Sequence, residues 1–259
     1  MTRKKKRVRL AALGAATTAL SGLAWLSLTG GGCARRAERI AEQRIDNLLP
    51  QFLGPADKWS SRVRDNPAAL LRGRLRRVRV DGENVRVSDE LTLDHLTLDV
   101  ADLRVDTREK RVSSVGAIGF SARLSETSLN RYLRARRPDI PGLSVRLRPG
   151  EATIRARPEL AGLLGIPLSV RGTLSPRSNG GGTLLDFVPG GANVSIVPIP
   201  GIVLRFVAER VNPLVDLAAL RAPIRVEQVA VGEGEVTLTG SVDGEALLRA
   251  AATGAVPGG

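Results

Sequence analysis

Histidine, cysteine, methionine and tyrosine occur once each in 259 residues, and the aromatic complement stops at four Phe, two Trp and that one Tyr. A single histidine and a single cysteine exclude a His or Cys metal site and a Cys–His nucleophile pair in the folded part of the chain. The sequence has no G-x-S-x-G elbow, no Walker loop and no dinucleotide fingerprint. Its glycine runs, Gly180-Gly181-Gly182 and Gly190-Gly191, lack a following Lys-Ser and read as loops. With so few rings, the interior must be built from Leu, Val, Ile and Ala. A smooth, aliphatic and β-branched core favours strands.

Acidic residues are also scarce where they would balance the N-terminal third. Met1–Arg9 carries six Lys or Arg and no acid, and residues 33–79 hold twelve Lys or Arg against five Asp or Glu. The formal net charge of +13 is then fully accounted for, and the chain from Val80 onward is neutral. A nucleic-acid binder would carry its positive stripe on the folded domain, interleaved with stacking aromatics. This distribution points instead to a membrane surface and to no nucleic-acid partner.

Leu10–Leu28 is an uncharged run behind the basic segment. Nineteen such residues are long for a signal sequence and just long enough to span a bilayer. The basic flank precedes the run, so the positive-inside rule leaves the body of the protein on the extracytoplasmic side. Thr29-Gly30-Gly31-Gly32-Cys33 resembles a bacterial lipoprotein processing site, although Gly30 stands where leucine is usual. Cys33 is thus a lipidation candidate, with an uncleaved anchor or an ordinary cleaved signal as the alternatives. The expectation is an exported protein of the cell envelope, anchored to the membrane.

Beyond Cys33 the periodicity predicts a helix over residues 34–53, from Ile40, Ile45, Leu48, Leu49 and Phe52, and a second helical stretch over 56–71. From Leu75 the pattern changes to period two. Valines around Asp81-Gly82-Glu83-Asn84 give a hairpin signature, repeated by Val145, Leu147, Ala152 and Ile154 around Arg148-Pro149-Gly150-Glu151, and by Val229, Val231, Val236 and Leu238 around residues 232–235. Between them the alternation of Leu91 to Val105 slips phase at Asp94-His95 and at Ala101-Asp102, which requires a bulge or a corner. Strands are predicted at Ile118–Leu124, Ile166–Val170 and Leu185–Phe187. Ser125 is placed to cap a short helix carrying Leu129, Tyr132 and Leu133. A late apolar helix is read from Ile202, Val203, Phe206, Val207, Val211, Leu214 and Val215, interrupted at Asn212-Pro213.

Asp94-His95 is the one place where a histidine base could be argued, with Ser88 and Asp89 nearby in sequence; a solvated bulge is the plainer reading. Asp99, Asp102 and Asp106 alternate with Leu98, Val100, Leu103 and Val105, which puts them mostly toward solvent without an activating partner. The expectation is a protein that is not an enzyme and needs no cofactor or metal.

Three segments in order carry a resemblance. Leu70-Leu71-Arg72-Gly73-Arg74-Leu75 before the valine hairpin, Leu124-Ser125-Glu126-Thr127-Ser128-Leu129-Asn130-Arg131-Tyr132-Leu133, and Val211-Asn212-Pro213-Leu214-Val215-Asp216 before the last hairpin are similar to the LmeA-like phospholipid-binding family, over about Ile40 to Gly240. The resemblance implies an α+β fold in which a curved, strongly twisted antiparallel sheet packs on amphipathic helices, similar in plan to tubular lipid-binding proteins. It implies phospholipid as the partner, bound in an apolar groove without catalytic residues, acting as carrier or sensor. A structural envelope scaffold without lipid is the alternative.

On this reading residues 1–33 are the targeting segment, 34–73 a helical segment, 74–243 the lipid-binding domain and 244–259 a disordered tail. Candidate groove residues are Ile202, Phe206, Val207, Leu214, Leu129 and Leu133, where acyl chains gain about 0.8 kcal/mol per buried methylene. Arg74, Arg77 and Arg79 are the candidates for contact with an anionic membrane surface.

Overall fold

The computed structural model describes residues 54–63, 65, 69, 72–106, 111–157, 168–179, 182–190, 205, 208–217 and 224–253, together with positions 39, 42, 46, 50 and 53. These last five positions, from the segment read as an N-terminal helix, are helical; the rest of that segment lies outside the described residues.

The described residues are mostly antiparallel β-structure in two sheets, with few helices. In chain order the strands are β1 (Lys58–Val63), β2 (Arg74–Arg86), β3 (Thr92–Asp106), β4 (Arg111–Ser114), β5 (Ile118–Ser125), β6 (Ser144–Arg148), β7 (Glu151–Ala156), β8 (Leu168–Asn179), β9 (Gly182–Pro189), β10 (Val215–Asp216), β11 (Ile224–Val231) and β12 (Glu235–Val242). The helices described from end to end are α1 (Glu126–Arg136) and α2 (Gly244–Thr253). One sheet runs β1-β2-β3-β5-β12-β11, with β4 on β3, and curls into a half-barrel; the other runs β10-β9-β8-β7-β6.

The expected antiparallel sheet is present, and among the described residues its packing is mainly sheet on sheet. The principal core joins β3, β5, β11 and β12 of the curled sheet to β6–β10 of the second, through Leu93, Phe120, Leu238, Ile154, Leu185 and Phe187. Helical residues contribute to this core through Leu129, Tyr132 and Leu133 of α1 and through Val211 further along the chain. A smaller core of Val63, Leu75, Val78, Val80 and Val105 lies under β1, the first part of β2 and the last part of β3. Each fully buried Val, Leu or Ile contributes about 1.5–3 kcal/mol, so the aliphatic composition suffices without aromatic mass.

Three expectations need correction. The first valine pair is no hairpin: β2 continues unbroken through Asp81-Gly82-Glu83-Asn84 and pairs with β3 on both sides of Asn84. Gly82 is there because the Trp59 ring lies across the strand, where any Cβ would collide with it. The stretch 56–71 contains β1 rather than continuous helix, since Ser61 and Val63 alternate inward while Lys58 and Arg62 face out. Gly244–Thr253, expected within a disordered tail, is α2, started by Asp243 Oδ1 accepting from the Ala246 amide at 2.9 Å.

The two phase slips are corners. Pairing of β2 with β3 lapses opposite Asn84 and opposite Asp102, the only described non-glycine residues with positive φ, 50° and 49°. Register is the same on either side: Glu83 pairs with His95, and Val85 with Leu93. No residue is inserted. Both strands turn over together, which keeps Val85 and Leu93 in the same core as Leu96.

The other two hairpins form as read, β6–β7 with Val145 opposite Ile154 and β11–β12 with Val229 opposite Leu238. Their tips dock on each other: Gly150 N donates to Val231 O at 2.9 Å, and Gly234 N to Leu147 O at 3.2 Å.

Candidate functional site

Ser125 ends β5 and caps α1, its hydroxyl accepting from the Ser128 amide at 3.2 Å. Asp94 braces this start from β3. Its carboxylate accepts from the Ser125 amide at 2.6 Å, the Ser125 hydroxyl at 2.9 Å and the Ser128 hydroxyl at 3.1 Å. A carboxylate at a helix N-terminus is favoured by both the free amides and the helix dipole.

Asp94 is thereby engaged, while His95 lies beside Thr97, at 3.3 Å, and Asp81, at 3.8 Å. The neighbours in sequence do not act together. Beside this brace a polar recess of about 440 Å³ is bordered by Asp57, Asn84, Arg86, Thr127 and Arg131.

From that capped start α1 reaches the free edge of the second sheet. Glu126 Oε2 accepts from the Leu147 amide at 2.8 Å, and the Asn130 side chain brackets Val145, accepting from its amide at 2.7 Å and donating to its carbonyl at 2.8 Å. The far side is closed in the same manner. Asn212 Oδ1 accepts from the Phe187 amide at 2.7 Å and its Nδ2 donates to the Phe187 carbonyl at 2.9 Å. The polar letters of two of the family-like segments, Ser125, Glu126, Ser128, Asn130 and Asn212, are therefore joints. The sequence marks Ser125 as a cap, while Glu126, Asn130 and Asn212 carry no local sign of the strand residues they meet.

Leu129, Leu133 and Leu214 come together in the principal core and are 0–1% exposed. Beside them Tyr132 is buried, and desolvation raises its phenol above the ordinary tyrosine range, against the opposing pull of an Asp216 backbone hydrogen bond and of Arg136. Arg205 and residues 208–211 of the late helix are helical, and its expected continuation becomes β10 beside β9. Ile202, Phe206, Val207 and Cys33 lie outside the described residues.

The three basic candidates share β2 but not an environment. Arg79 is held by Asp81 at 3.3 Å, Arg77 is exposed opposite Ala101, and Arg74 stands directly opposite Arg104 of β3. No described helix is long and apolar enough to cross a membrane, and the run 10–28 lies outside the described residues.

No curated protein and no solved structure matches the chain. A protein-family profile does, that of LmeA-like phospholipid-binding proteins, over residues 34–241, and it spans both sheets, α1 and each of the joints described above. It is a lipid-binding family and not a known enzyme family. The chain belongs to the LmeA-like phospholipid-binding family.

Proposed function

We propose that this protein is a non-catalytic phospholipid carrier or sensor of the bacterial cell envelope, held on the extracytoplasmic side by its N-terminal segment. The observation that carries this reading is the family match across most of the chain. An interior of Leu, Val and Ile side chains suits acyl chains, which need burial and no directional contacts. Ile202, Phe206, Val207 and Leu214, with Leu129 and Leu133 from α1, are the side chains proposed to meet them. The basic flank, the apolar run and the small-residue approach to Cys33 support the envelope location.

The test is native mass spectrometry and lipid extraction of residues 34–259 purified from a bacterial host without detergent. A stoichiometric phospholipid in the purified protein is the expected result. A lipid-free protein that takes up nothing from added vesicles would favour a structural scaffold instead.

A further inference from the structure

Arg72, Arg74, Arg76 and Arg104 surround a recess of about 290 Å³ at the junction of β2 and β3, with Asp102 and Leu103 on its β3 side. Arg74 and Arg104 are direct cross-strand partners, so two guanidinium-bearing residues occupy the position where like charges destabilise a sheet most. Among the described residues none of the four is ion-paired with a carboxylate, whereas Arg79 of the same strand has Asp81. All four side chains are exposed.

The frame beneath them is fixed. The Arg72 amide donates to Ala69 O at 3.0 Å, Gly73 has a φ of 68°, and Gly73 O accepts from the Val105 amide at 2.7 Å. Asp102 occupies its corner with a φ of 49°, and Asp65 is committed to the Arg76 amide. A concave group of four arginines, with Asp102 the single carboxylate on its described lining, is suited to a tetrahedral oxyanion, because guanidinium groups bind phosphate oxygens in pairs and are weakly hydrated.

We infer that this recess binds the phosphate of an anionic phospholipid headgroup, an assignment that rests on the proposed lipid binding and adds to it a polar site away from the acyl chains. Arg72, Arg74 and Arg76 belong to the basic stretch 33–79, which follows the proposed anchor in the sequence. Arg104, from the otherwise neutral part of the chain, completes it. Asp102 opposes a bare anion and limits the attraction for free phosphate.

The full-length chain in non-ionic detergent, titrated calorimetrically with phosphatidylglycerol, phosphatidylcholine or inorganic phosphate, provides the test. Phosphatidylglycerol should bind, with affinity falling steeply as salt rises. The variant Arg74→Gln/Arg76→Gln/Arg104→Gln should lose at least about tenfold in affinity, since each arginine near anionic headgroups contributes substantially. The charge-matched variant Arg146→Gln/Arg148→Gln/Arg155→Gln, altered on β6 and β7, should keep it. Circular dichroism checks each fold, and the single change Arg104→Gln serves if the triple variant is misfolded. Asp102→Asn, which tolerates the left-handed backbone, should tighten binding.

Equal losses in both triple variants would overturn the site in favour of diffuse charge. Inorganic phosphate binding as tightly as the lipid would overturn the headgroup assignment. Native mass spectrometry of the same proteins separates the two readings: wild type without lipid defeats the proposed function, whereas lipid retained with unchanged affinity in the recess variant defeats this site alone.

Discussion

Removing the Asp94 carboxylate should loosen a helix and, through it, a distant strand edge. Asp94→Ala takes away three hydrogen bonds, to the Ser125 amide and to the Ser125 and Ser128 hydroxyls. Bonds to a charged acceptor contribute about 1.5–3 kcal/mol each, but three to one carboxylate are not additive, and Ser125 still caps the Ser128 amide. A loss of about 3 kcal/mol is expected, mostly from the partly buried Ser125 amide left without an acceptor. For a chain of this size that is a fall in Tm of roughly 6–12 °C. Asp94→Asn, which keeps one oxygen, should lose about half as much.

Urea unfolding measures the total, and hydrogen exchange locates it. If α1 is the strut that Glu126 and Asn130 make it, the Val145 and Leu147 amides of β6 should exchange faster in Asp94→Ala than those of Leu238 and Val236 in β12. A stability within about 0.5 kcal/mol of the parent, the range of an ordinary surface change, would refute the brace. A full loss of stability with β6 exchanging no faster than β12 would refute the strut.

Two further outcomes follow from buried polar groups. Thr183 links the sheets, its hydroxyl donating to Ile224 O at 3.0 Å and accepting from the Val226 amide at 3.2 Å. Thr183→Val should therefore cost about 2–4 kcal/mol in urea unfolding, since two backbone groups are left unpaired, and Thr183→Ser should restore most of it. Tyr132, the sole tyrosine, has a raised folded pKa because burial disfavours its phenolate. Its contribution to stability is fully present below the unfolded value near 10 and is lost as pH rises through the higher folded value. Absorbance at 295 nm should show tyrosinate appearing only above pH 10 and together with unfolding; a free titration of folded protein at about 10 would contradict the burial.

Local chemistry made part of this architecture legible. The hairpins at 145–154 and 229–238 were readable because their turns contain Gly150 and Gly234, both with φ above 70°. The similar run at 81–84 misleads because turn residues also serve a strand that must pass under an indole ring or turn a corner, and the ring, Trp59, is more than twenty positions away. Ser125 was legible as a cap, since capping is local; Asp94 behind it was not, since its partner lies 31 residues along. Asn130 and Asn212 had no local signature, because a side chain that closes a sheet edge resembles a surface amide until the strand is seen. The arginine recess depends on the pairing of Arg74 with Arg104, a neighbourhood that only register creates.

The paired corners of β2 and β3 also bear on how such a chain can change. Neither strand owns its corner: Asn84 turns against a partner in β3, Asp102 against one in β2, and the ladder keeps one register past both. A single-residue deletion in either strand would leave half of it in step with its neighbour and turn the other half's valines toward water. Length changes in this region should therefore be inherited in matched pairs, one in each strand. The thirty or so residues of the two strands form one heritable unit, although no covalent link or repeated motif announces it.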